Sequence, residues 1–175
     1  LNKIYHNIYA ISVQIAFNIV LHRIKIALFT NAHQVKTNNS VYLPNIPYYK
    51  LDTYDATNRV VAQRLLFVGD ICYPPNIHGI KHFLQKIYPI VKQEIPDVTL
   101  HIVGNINNKL KQEFENISGV SAMGFVPNLL KEYEECCITV VPIYYGAGTC
   151  IKVLESMQLG RACVTTPVGF RGYDS

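Results

Sequence analysis

The run Cys137–Gly160, CITVVPIYYGAGTCIKVLESMQLG, constrains the fold more than any other stretch of the chain. Its segment Ile138–Ile143, ITVVPI, is apolar without in–out alternation. A strand with one wet face alternates apolar and polar residues, so this run predicts a central strand covered on both faces. A glycine-bracketed turn follows, then a helix over Thr149–Leu159 closed by Gly160 at its C-cap. Thr149 is its expected N-cap. Lys152 sits in the first turns of that helix, where the partial positive charge of the helix end makes a cation cost roughly 0.3–1 kcal/mol. A bound anion reverses that sign. Backbone N–H groups freed by Gly146 and Gly148, the Thr149 hydroxyl and the Lys152 ammonium together suit a phosphate. Thr149, Lys152 and Glu155 recur every three residues and lie close to one helix face. Glu155 is placed there to accept hydrogen bonds from sugar hydroxyls. Ile151, Leu154 and Met157 repeat on the adjoining face and are expected to pack against the sheet.

From Ala62 onward the pattern alternates strand and helix. Expected strands are Arg64–Gly69, Val98–Gly104, Val120–Gly124, Ile138–Ile143 and Ala162–Thr166. The intervening helices are Asn76–Glu94, Asn107–Asn116, Asn128–Glu135 and Thr149–Leu159. Pro89 is expected to kink or interrupt the first of these. Asn107–Asn116 is polar and charged, a surface helix. This order predicts an α/β fold with a doubly wound parallel, Rossmann-like sheet. Ligands of such sheets bind beyond the carboxyl ends of the strands. The Gly- and Pro-rich loops Gly69–Asn76, Gly104–Asn108, Gly124–Pro127, Ile143–Gly148 and Thr166–Gly172 fall there. Residues 1–60 read differently: YAISV as a strand, Gln14–Ile26 as a helix, VYLP as a second strand, then a polar connection rich in Pro and Tyr.

The chain of 175 residues is 49% apolar, enough to bury a core. Its net charge of +4 is spread without a basic stripe, which argues against nucleic acid. The small excess suits an anionic small ligand, loose attraction to an acidic membrane surface, or an ordinary solvated surface. Five cysteines with irregular spacing and no CxxC pair fit neither a zinc site nor a disulfide framework. They imply a reducing compartment. Ile8–Leu21 is too short and too polar for a membrane span of ~20 residues, and it lacks the leader and cleavage site of a signal peptide.

The order of motifs resembles the group 1 glycosyltransferases. Those enzymes have the GT-B fold, two facing Rossmann-like domains, and the likeness here is to the C-terminal, donor-binding half. It is carried by LPNIP (Leu43–Pro47), LLFVGDICYPPNIHGIKHFLQKIYPIV, LHIVGN, GFVPNLLKEYEECCITVVP and GAGTCIKVLESMQLGRACVTTPVGFRG, in family order. The combination of GxGTxxKVLExMxLG with VTTPVGxxG is the specific part. The resemblance divides the chain into residues 1–60, a remnant of the N-terminal lobe with the interdomain linker, and residues 61–175, a donor domain cut short at its C-terminal end. It implies low stability and exposed apolar surface for the chain taken alone.

The resemblance implies transfer of a sugar from a nucleoside-diphosphate sugar to a glycan or lipid-linked acceptor, with retention of configuration and without a metal or other cofactor. The setting implied is cytoplasmic polysaccharide biosynthesis, with peripheral association at the inner face of the membrane. The donor diphosphate falls to Gly146, Gly148, Thr149, Cys150 and Lys152, the ribose to Glu155, and the base to Gly124, Phe125 and Val126. The family's paired glutamates, eight positions apart, map onto Ala147 and Glu155, so the first is absent. A branch with the GxGTxxK loop also lacks it. The Arg and Lys that clamp the diphosphate in many relatives map onto Asp70 and Asn76, leaving Lys152 and Arg171 as the cations. No catalytic residue is assigned. His78 and His82 suit acid–base work but read more simply as packing or surface residues, and Cys150 has no evident partner for a nucleophile's role. The alternative is a non-catalytic nucleotide-sugar-binding or structural lobe that supports a partner glycosyltransferase. A nucleotide-sugar epimerase requires an early GxGxxG, which this sequence lacks.

Overall fold

The structure is a computed structural model that describes residues 63–173 together with two short strands, Ala27–Phe29 (β1) and Ser40–Tyr42 (β2). The chain divides into two compact units, residues 1–45 and 46–175. In the first unit β1 and β2 pair in parallel, Ala27 opposite Ser40. The strand expected at VYLP coincides with β2 at Val41–Tyr42, and β1 was not expected. YAISV and the helix Gln14–Ile26 lie outside the described residues.

The second unit is built on five strands: β3 (Arg64–Val68), β4 (Thr99–Val103), β5 (Val120–Gly124), β6 (Ile138–Val141) and β7 (Ala162–Thr165). Their spatial order is β5-β4-β3-β6-β7 and every pairing is parallel. The strand read from ITVVPI is interior, between β3 and β7. It ends at Val141, two residues early, because Pro142 has no N–H to extend the ladder.

Side chains alternate across β3. Leu65 and Phe67 face one layer with Ile80, Phe83 and Leu84, whereas Leu66 faces the other with Tyr133, Cys136 and Leu159. Leu66 and Phe67 are fully buried. Each such side chain contributes about 1.5–3 kcal/mol relative to exposure.

The first long helical segment departs from expectation. It comprises α1 (Pro74–His82), a wide π turn (Phe83–Ile87) and α2 (Tyr88–Glu94). Pro89 lies in the first turn of α2, where its missing N–H removes no helical bond. The irregularity therefore sits one turn before the proline, in the form of a π bulge. The next two helices start at asparagine caps. Asn107 accepts from Leu110 N at 2.9 Å ahead of α3 (Asn108–Glu115), and Asn128 accepts from Lys131 N at 3.2 Å ahead of α4 (Leu129–Glu135). Helix α3 is not wholly a surface helix, since it buries Leu110 and Phe114.

Helix α5 spans Ile151–Gln158, and a single short turn, α6 (Pro167–Phe170), follows β7. The N-cap of α5 is Cys150, with no side-chain cap bond, so Thr149 is not the cap. The buried face of α5 is Val153, Ser156 and the following Leu159, not Ile151, Leu154 and Met157. Ile151 and Met157 are about half exposed, at 49% and 56%. The reason is polar: Thr139 on β6 donates to Ser156 Oγ at 2.8 Å, and Ser156 donates to Lys152 O at 2.7 Å. The small serine lets the helix approach the strand closely, and its hydroxyl satisfies that of Thr139.

Candidate nucleotide-sugar site

The loop after β6 and the start of α5 form one wall of a cleft of about 200 Å³. Gly146, Gly148, Thr149, Cys150 and Lys152 all line it, and Tyr73, Pro75 and Asn76 form the opposite wall. The turn needs its glycines. Gly146 and Gly148 have φ of 137° and 77°, in the left-handed region that strains other residues. Lys152 extends from α5 across the carboxyl end of β3. A side chain at Gly69 would meet Lys152 Cε at 2.7 Å and Asn76 Nδ2 at 3.0 Å.

Asp70 and Asn76, onto which the resemblance maps the cationic clamp, are knitted into the β3–α1 loop. Asp70 Oδ1 accepts from Cys72 N at 2.8 Å and Asn105 Nδ2 at 3.2 Å, and Asn76 Nδ2 donates to Asp70 O at 2.7 Å. Asn76 is buried and serves the loop. Arg171 lines the same cleft but is held by the turn. Its Nη2 donates to the carbonyls of Gly146 and Gly148, both at 3.0 Å. Ala147, onto which the resemblance maps the first of the paired glutamates, is exposed at the tip of the turn.

Glu155 lies one turn after Lys152 on α5 and lines neither this cleft nor the next hollow. Its Oε2 accepts from the hydroxyl of Tyr133 at 3.0 Å. Burial pushes the carboxyl's pKa up, while the Tyr133 hydrogen bond and the nearby Lys152 charge draw it down. Tyr133 is almost fully buried on α4. Nothing in the sequence signals this pairing, because a tyrosine on an amphipathic helix reads as core.

A second hollow, about 410 Å³, opens beyond the carboxyl ends of β4 and β5. Phe125 and Val126 line it with Val103, Leu129 and Leu130. Gly124 closes β5 beside it at φ 69°. Phe125 is 91% exposed, unusual for a phenylalanine and suited to covering a flat ligand. The phosphate candidates and the base candidates thus lie at opposite ends of β6-β3-β4-β5, about 14 Å apart at ~4.8 Å per strand.

His78 and His82 pack rather than point into a reaction centre. His82 Nδ1 lies 2.9 Å from the Tyr144 hydroxyl, and His78 meets Tyr145 edge-on at 5.3 Å. Among the described residues no cluster of three or more His, Cys, Asp or Glu is arranged to hold a metal ion, and no helix is long and apolar enough to cross a membrane.

Known proteins resemble this chain. The model of the family "Glycosyl transferases group 1" matches residues 62–173. An uncharacterized 44.6 kDa protein in the cps region of Klebsiella pneumoniae is 31% identical over 149 residues, covering 78% of this chain and 37% of that protein. The crystal structure of TarM superposes with a TM-score of 0.70 at 16% identity, over 87% of this chain and 32% of TarM. A mutant of S. aureus TarM, crystallised with fondaparinux, alpha-GlcNAc-glycerol and UDP, gives 0.69 at 15% identity, over 87% of this chain and 32% of its own. At these identities the two structures establish the fold, the Rossmann-like sheet of a GT-B glycosyltransferase. The chain spans about a third of the length of these relatives. With the family model matching well over half of its residues, the chain belongs to the group 1 glycosyltransferases.

Proposed function

We propose that this chain carries the donor-binding domain of a retaining glycosyltransferase, residues 61–175, which moves a sugar from a nucleoside-diphosphate sugar to a glycan or lipid-linked acceptor. The observation that carries the reading is the placement of Lys152. It stands in the first turn of α5, beside a two-glycine turn, with its side chain laid over the end of β3 at Gly69. The diphosphate binds at Gly146, Gly148, Thr149, Cys150 and Lys152, the ribose at Glu155, and the base over Gly124, Phe125 and Val126. The separation across four strands suits an extended nucleoside diphosphate. The related TarM complex contains UDP and a glycosyl-glycerol, which supports a nucleotide donor and a hydroxyl acceptor. The cps-region relative supports polysaccharide biosynthesis. The reaction needs no metal or other cofactor in this reading. Charge on the leaving diphosphate is met by N–H groups and Lys152, and the chemistry is largely positional. We place the enzyme in the cytoplasm, at the inner membrane face when its acceptor is lipid-linked.

Residues 1–60 belong to the acceptor lobe and linker in this reading, so the chain by itself binds donor without turnover. A non-catalytic nucleotide-sugar-binding lobe is the second reading. It is favoured by Ala147 and by the use of Asp70 and Asn76 as loop struts. Titration calorimetry with UDP, GDP and their sugars tests the site. A charge-assisted contact contributes about 1.5–3 kcal/mol, so Lys152→Ala should weaken diphosphate binding roughly tenfold or more. Glu155→Gln should weaken nucleoside binding even without phosphates. If both variants bind like the parent, the site is wrong and α5 is scaffold. Sugar transfer by the longer protein separates the two readings.

A further inference from the structure

Five carbonyls along the β6–α5 connection accept hydrogen bonds from one short segment. Thr165 Oγ1 donates to Val141 O at 2.9 Å, and Thr166 Oγ1 donates to Ile143 O. Arg171 Nη2 donates to Gly146 O and Gly148 O, and the Tyr173 hydroxyl donates to Cys150 O at 2.9 Å. The segment is itself firmly seated. Thr166 caps α6 by accepting from Gly169 N at 3.1 Å, and any side chain at Gly169 would come within 2.2 Å of Thr165 Oγ1.

A trans peptide is planar, with the C=O of one residue antiparallel to the N–H of the next. Holding the carbonyls of Gly146, Gly148 and Cys150 toward Arg171 and Tyr173 therefore turns the N–H groups of Ala147, Thr149 and Ile151 the other way. The last of these belongs to the first residue of α5. Resting on the donor-site reading above, we propose that Thr165–Tyr173 is a template that sets the polarity of the glycine turn. Arg171 and Tyr173 are then positioning residues that aim those three N–H groups at the donor's diphosphate. Arg171 works through the loop carbonyls and not as a direct phosphate cation.

The test is titration of the 175-residue chain with UDP, inorganic pyrophosphate and uridine, for the parent, Tyr173→Phe, Arg171→Ala and Lys152→Ala. Tyr173→Phe removes one hydroxyl and no charge. Losing one neutral hydrogen bond's worth of order should weaken UDP and pyrophosphate about fivefold. Arg171→Ala, which releases two carbonyls, should weaken them further. Uridine affinity should stay at the parental value in Tyr173→Phe, and the thermal midpoint should fall by no more than one hydrogen bond's share. Weakening by Arg171→Ala with parental pyrophosphate affinity in Tyr173→Phe overturns the template and makes Arg171 a direct cation. Equal losses for uridine and pyrophosphate in Tyr173→Phe also overturn it, as a general loosening of the fold. A parent that binds neither UDP nor pyrophosphate, or a Lys152→Ala chain that binds both normally, overturns the site itself and the template with it.

Discussion

Helix α1 crosses the end of β6 at Gly79, and this contact makes a sharp prediction for Gly79→Ala. A Cβ built at Gly79 lies 1.9 Å from the carbonyl oxygen of Pro142 and 2.9 Å from its carbon. Ordinary contact begins near 3.4 Å, so helix and strand must separate by roughly 1.5 Å, and both atoms of the clash are backbone on the Pro142 side. No rotamer change relieves it. Overpacking of this kind costs typically about 1–3 kcal/mol, and the absence of a flexible partner places this case at the upper end. Helix propensity argues the other way, since alanine gains up to about 1 kcal/mol over glycine in a helix interior. The expected net is a loss of about 2 kcal/mol, or roughly 10 °C in thermal midpoint for a unit of this size. Circular dichroism on parent and variant measures it. The same shift moves Pro75, which faces the Gly146 turn across the cleft, so UDP affinity should fall as well. A variant as stable as the parent, or more stable, would show that α1 does not sit against Pro142 and that the cleft is not held shut from that side.

The burial of Glu155 has a pH signature. Its pKa is raised, so the folded state holds the proton more tightly, and the stabilising share is present at low pH and lost as pH rises through the raised value. Glu155→Gln should therefore gain thermal stability relative to the parent at neutral pH, with the gain vanishing below the ordinary glutamate range, while nucleoside binding drops; a constant difference across pH would contradict the assignment. Lys152→Ala removes a charge that lowers the Glu155 pKa, so it should shift that pH transition upward as it weakens diphosphate binding. Burial pushes the Cys136 thiol up to about 12, whereas Cys72 is exposed. A thiol reagent at pH 8 should modify Cys72 in the native protein and Cys136 only after denaturant is added; rapid native modification of Cys136 would place it at the surface.

Much of this architecture is legible in the sequence. Element type and order follow from local signals: unbroken apolar runs for β3 and β6, and glycines where the chain turns. A parallel sheet follows because a helix stands between each pair of successive strands, and β6 had to be interior because ITVVPI offers no polar face. The family motifs pointed to the glycine turn as the phosphate candidate, and the turn and Lys152 line one cleft. What the sequence could not specify depends on partners distant along the chain. Hydrophobicity alone points to the wrong face of α5, since Ile151 and Met157 are more apolar than Ser156. Only packing against β6 shows that the Thr139 hydroxyl needs Ser156 and that a small residue permits the close approach. Tyr133 meeting Glu155 and Arg171 meeting the glycine turn join elements separated by more than twenty residues. The π turn before Pro89 likewise shows the chain moving an irregularity to where the helix can absorb it. Periodicity and turn chemistry are carried by neighbouring residues and survive in a string of letters. Hydrogen bonds between side chains on different elements exist only once the sheet has brought those elements together.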